Sequence, residues 1–181
     1  IMLAGNENPY GPGPKARAAI AAATADGCRY PMRESMALTE MLAAREGVEK
    51  DRIILGSGSG ELLHMLALTY CERGQIVCAW PTFSQLMALA ERFGAEVRRV
   101  PLEASSLRHD LPALAAAITP NTSLVYVCNP NNPSGTVVDG ASLRAFCEET
   151  SRSTLVVSDE AYLDFVEPGA TASMVDLVRA G

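Results

Sequence analysis

The sequence predicts an α/β protein with a largely parallel sheet. Three observations carry that expectation. Short apolar runs alternate with helix-spaced windows from residue 53 to residue 158. Clusters of Gly, Asn, Pro and Asp sit just past several of the apolar runs, where strands of a parallel sheet would end. At 181 residues, 48% hydrophobic and 20% charged, the chain can bury one substantial core, and a single soluble domain is the first expectation. The formal charge of -6 gives no electrostatic reason to bind nucleic acid or an anionic membrane. No apolar run approaches the roughly 20 residues needed to cross a bilayer.

Residues 1–14 read as an extended arm, because three prolines and three glycines interrupt any ladder or helix. Pro14 suits the first turn of a helix continued by Ala16 to Ala25. Tyr30-Pro31 marks a second irregular stretch, and Met36, Leu38, Met41 and Leu42 give a helical period over Glu34 to Arg45. Strand and helix then alternate. Strands are expected at Ile53–Leu55, Ile76–Trp80, Glu96–Val100, Leu124–Cys128 and Leu155–Ser158. Helices are expected at Gly60–Tyr70, Ser84–Phe93, Leu111–Ile118 and Ala141–Thr150. The five cysteines are widely spaced and form no C-x-x-C, so neither a metal site nor a disulfide framework is indicated. Buried free thiols are the simpler reading and fit a reducing cytoplasm.

Gly56-Ser57-Gly58-Ser59-Gly60-Glu61 joins a strand to a helix. Small residues let a backbone approach an anion, and the free N–H groups of a helix start can point at it. A turn with Ser59 as N-cap explains the same residues equally well. The dinucleotide fingerprint fails at Glu61, and the phosphate-binding loop of nucleotide hydrolases fails for want of a lysine. His64, one turn into the helix, reads as a packed or capping histidine. Asn129-Pro130-Asn131-Asn132-Pro133-Ser134-Gly135 and Asp159-Glu160-Ala161-Tyr162 each follow a strand. Singly they are turn formers; together they offer an amide, a carboxylate and a phenol to one crevice, a set suited to an aromatic nitrogen cofactor bearing a ring hydroxyl.

These motifs resemble the fold-type-I pyridoxal-phosphate aminotransferases, and among them the histidinol-phosphate group. The resemblance runs from about Leu3 to Asp176, over the front half of the family's length. It implies a three-layer α/β/α large domain, incomplete in this chain, with residues 1–33 as an arm and small-domain start and 34–181 as the first part of the cofactor domain. It implies pyridoxal 5'-phosphate as cofactor. Asp159 would sit on the ring nitrogen, Asn132 and Tyr162 on the ring oxygen, and Phe83 against the ring. Ser59 and Gly60 would hold the phosphate. Tyr30 would reach the phosphate of a partner subunit, which makes a homodimer expected, and Asn6 and Tyr10 in the arm would help close the site on substrate, which Asn132 would also contact. The reaction implied is transfer of an amino group between an amino donor and a keto acceptor. A decarboxylase or lyase using the same cofactor is the alternative, as is a non-catalytic module that binds it.

The family needs a Schiff-base lysine. The only lysines here are Lys15 and Lys50, and neither has the S-x-x-K setting that the family uses. The chain is therefore expected to be the amino-terminal portion of a larger enzyme, inactive alone.

Overall fold

The computed structural model describes residues 5–72 and 74–181; Leu3, where the resemblance begins, lies outside them. Two compact units divide the chain, Ile1–Leu38 and Thr39–Gly181. In the first, α1 (Pro14–Ala23) opens on Pro14 as expected and ends in a short 3-10 turn, Thr24–Asp26. α1 has no buried residue. The boundary falls inside α2 (Met32–Glu46).

The second unit holds α3 (Ser59–Tyr70), β1 (Gln75–Trp80), α4 (Gln85–Arg92), β2 (Glu96–Pro101), α5 (Leu111–Ala117) and β3 (Thr122–Cys128). It continues through α6 (Gly140–Thr150), β4 (Leu155–Asp159) and α7 (Val175–Ala180). The four strands run parallel in the order β2-β1-β3-β4. Alternation along β1 and β3 sends successive side chains to opposite faces. Ile76, Cys78, Leu124, Tyr126 and Cys128 meet Leu63 and Ala67 of α3 and Leu86, Met87 and Ala90 of α4. Val77, Ala79, Val125 and Val127 meet Leu111 and Leu114 of α5 and Leu143 and Phe146 of α6. The result is the expected α/β/α sandwich. Each large aliphatic side chain buried this way contributes roughly 1.5–3 kcal/mol.

Asp110 caps α5, accepting from Ala113 N at 2.9 Å, and Asp139 caps α6, accepting from Ser142 N at 2.9 Å. The expected strand at Ile53–Leu55 does not form: these residues pair with no strand among the described residues, and Ile54 is 70% exposed. An apolar triplet becomes a strand only when a neighbouring edge takes its N–H and C=O groups. β4 is half-buried along its whole length although it begins Leu-Val-Val.

Candidate active site

Connections leave the middle of the sheet on opposite faces. α4 follows β1 on one side, and α6 follows β3 on the other. Such a reversal opens a crevice beyond the strand ends. Residues 81–83 after β1 and 129–135 after β3 flank it, and Asp159 closes β4 beside them.

The turn after β3 is held by two sealed amides. Asn129 donates to Val138 O (3.2 Å) and Thr171 Oγ1 (2.9 Å), while its Oδ1 accepts from Val138 N (2.9 Å). Asn131 donates to Pro81 O (3.1 Å) and Ser134 Oγ (2.8 Å) and accepts from Thr82 Oγ1 (2.7 Å), tying this turn to the end of β1. Their exposures are 1% and 2%. The peptide bonds preceding Pro81, Pro130 and Pro133 are cis, and Gly135 takes φ +69. Asn132, between these anchors and the β4 tip, stays only half-buried.

Cys128 and Asp159 are register partners, so the tips of β3 and β4 lie side by side. Asn132 Nδ2 is 3.5 Å from the Tyr162 hydroxyl, long for a hydrogen bond, which makes the two groups close neighbours. The Tyr126 hydroxyl donates to Asp159 Oδ2 at 2.6 Å, and Ala161 N donates to Oδ1 at 3.2 Å. Burial pushes the Tyr126 phenol well above its ordinary pKa, with the neighbouring Asp159 charge adding to the effect. Burial also raises the Cys128 thiol.

The glycine-serine loop enters α3 through Gly58 at φ +80, a conformation that favours glycine. Glu61 Oε2 accepts from Ser57 N at 2.6 Å. The N–H groups of Ser59 and Gly60 belong to the first turn, which has no preceding helical carbonyl to serve it. A side chain at Gly60 would meet Gln85 Nε2 at 2.9 Å, and that nitrogen donates to Gly60 O at 3.2 Å. The loop is thereby fastened to the start of α4, two residues beyond Phe83. Phe83 itself is half-buried against the cluster containing Tyr126 and Cys128.

The structure thus brings Asn132, Asp159 and Tyr162 together and fastens Gly60 to the element after Phe83. Asn6, Tyr10 and Tyr30 belong to the amino-terminal unit, where Tyr10 is 93% and Tyr30 91% exposed. His64 packs edge-on against Phe93, ring centroids 6.2 Å apart. Lys50 Nζ is paired with Glu40 at 2.5 Å. Cys71, Cys78, Cys128 and Cys147 are buried free thiols, and Cys28 is exposed.

Sequence reasoning misses Tyr126, Thr82 and His109. Tyr126 carries the one hydroxyl in Leu124-Val125-Tyr126-Val127-Cys128, and a hydroxyl buried in such a strand needs a partner. His109 is 3% exposed, and neither ring nitrogen has a hydrogen-bond partner among the described residues. Its proton affinity is lowered by burial.

A parallel sheet whose strand ends carry these motifs is the architecture of one large enzyme family. The chain belongs to the aminotransferase class I and II family, whose profile matches residues 1–180. It is 47% identical to the histidinol-phosphate aminotransferase of Moorella thermoacetica, over 100% of this chain and 47% of that protein. To the aromatic amino acid aminotransferase of Thermobifida fusca it is 43% identical, over 98% of this chain and 49% of that one. The crystal structure of histidinol-phosphate aminotransferase from Sinorhizobium meliloti in complex with pyridoxal-5'-phosphate superposes with a TM-score of 0.85 at 30% identity. That match covers 92% of this chain and 45% of the other. The chain spans about half the length of the curated relatives it matches.

Proposed function

We propose that this chain forms the amino-terminal, cofactor-holding part of a pyridoxal-phosphate-dependent aminotransferase of the histidinol-phosphate type. The observation that carries the reading is the convergence at the β3 and β4 tips of a half-buried carboxylate, Asp159, with two donors side by side, Asn132 and Tyr162. That set matches the edge of a protonated pyridine bearing a ring oxygen. The residues present therefore fit the group.

When bound, pyridoxal phosphate supplies an electron sink for negative charge developing on a substrate carbon. Asp159 would accept a hydrogen bond from the protonated ring nitrogen and hold that proton in place. Asn132 and Tyr162 would donate to the ring oxygen and favour its ionised form. Phe83 would lie against the ring face. Ser59 and Gly60 would offer backbone N–H groups to the phosphate, where the helix dipole favours negative charge. Neither Lys15 nor Lys50 is assigned the amine role. Asn6 and Tyr10 would close over substrate, an amino donor and a keto acceptor in turn, as parts of an arm over residues 1–33 serving a cofactor domain that starts at 34. Tyr30 would serve the phosphate of a second copy in a homodimer. The exposed Ile20, Met32 and Met36 of the amino-terminal unit support a covering surface of that kind.

Trp80, the sole tryptophan, ends β1 at the crevice and reports on binding. Titrating the protein with pyridoxal phosphate should quench its fluorescence saturably. Asp159→Asn should weaken the half-saturation point by about tenfold, as expected for loss of one charge-assisted hydrogen bond. Quenching that never saturates, or an Asp159→Asn protein that binds as well as the original, would overturn the reading.

A further inference from the structure

We propose that Tyr126 is a positioning residue for Asp159, its buried hydroxyl fixing the direction in which the carboxylate faces the ring nitrogen. This deepens the reading above and rests on it.

Tyr126 is 0% exposed and lies in the middle of β3, so its ring is held by the sheet and by the α3 and α4 side chains around it. From there its hydroxyl reaches Asp159 Oδ2 at 2.6 Å, within the range of a strong O–H···O⁻ bond. The other oxygen, Oδ1, accepts from Ala161 N at 3.2 Å. With both oxygens engaged, the carboxylate plane is set from below and from its own loop. A charge-assisted hydrogen bond of this length holds its acceptor in one direction. The phenol does not surrender its own proton in exchange, because burial holds it far above its ordinary range. The titratable groups against Asp159 from β3 are Tyr126 and Cys128, the latter kept as a neutral thiol by burial. On its own segment they are Glu160 and Tyr162, and Glu160 Oε1 is occupied by Met174 N (2.7 Å) and Ser158 Oγ (3.2 Å). Tyr126 is therefore the one side chain shown donating to Asp159 among the described residues.

The test is a double-mutant cycle on pyridoxal phosphate affinity, read by Trp80 quenching at neutral pH. Tyr126→Phe keeps the ring and its packing while removing the donor. In the original background it should weaken binding by about tenfold at neutral pH. In the Asp159→Asn background the same change should cost less than about twofold, because no carboxylate remains to be oriented. Equal losses in both backgrounds would show a packing role and overturn the proposal. A Tyr126→Phe protein that binds normally while Asp159→Asn does not would overturn it and leave the parent reading standing. Undiminished binding by Asp159→Asn would remove the reading and the inference with it.

Discussion

The turn after β3 and the tip of β4 are adjacent, yet they are built on opposite plans. In the first, Asn129 and Asn131 are sealed from solvent, with their side-chain amides and carbonyl oxygens engaged by neighbours. At the second, Asp159 and Tyr162 stay half-buried beside Asn132, and the amide-to-hydroxyl distance is loose at 3.5 Å. The contrast separates frame from face. Buried polar groups tolerate no unmet partner, so they specify one backbone path. Groups left partly open keep bonding capacity for something that arrives later. Asn131 and Asn132 are neighbours in sequence, and the first belongs to the frame while the second belongs to the face.

The largest effect follows from that division. Asn129→Ala or Asn131→Ala should cost about 3 kcal/mol in urea unfolding, because each strands several buried groups. Asn132→Ala should cost less than about 1 kcal/mol while weakening pyridoxal phosphate binding. Equal stability losses at positions 131 and 132 would break the comparison. A smaller effect should appear at His109, whose ring is buried beside the same frame with no hydrogen-bond partner among the described residues. Its proton affinity in the fold is below the ordinary value of 6.5. The unfolded chain therefore binds the proton more readily, and stability falls as pH drops through and below that ordinary value, by at most about 1.4 kcal/mol per pH unit. His109→Leu should melt no earlier than the original at neutral pH and should lose part of this acid sensitivity. An unchanged acid profile in the variant would assign the sensitivity to other groups.

Much of the frame was legible because apolar period and turn residues report local structure. β1, β3 and α6 lie within two residues of their expected bounds, and Pro14 opens α1 as expected. Ile53–Leu55 misled because its apolar content is real while its pairing depends on an edge that local sequence does not describe. α7 went unread, since Val175 to Ala180 is one short turn-and-a-half with mixed polarity. At the site, the motifs named Asn132, Asp159 and Tyr162, which the fold places side by side. Their supports escaped. Tyr126 looks like any strand aromatic until β4 lies next to it, and His109 carries no motif. Three asparagines in Asn129-Pro130-Asn131-Asn132 look alike in sequence, and only tertiary burial separates them.

The most direct measurement is a crystal structure of the protein with pyridoxal phosphate bound. The ring nitrogen should lie within hydrogen-bond distance of Asp159, the ring oxygen between Asn132 and Tyr162, and the phosphate at the N–H groups of Ser59 and Gly60. A ring bound elsewhere, or one whose nitrogen faces away from Asp159, would contradict the account.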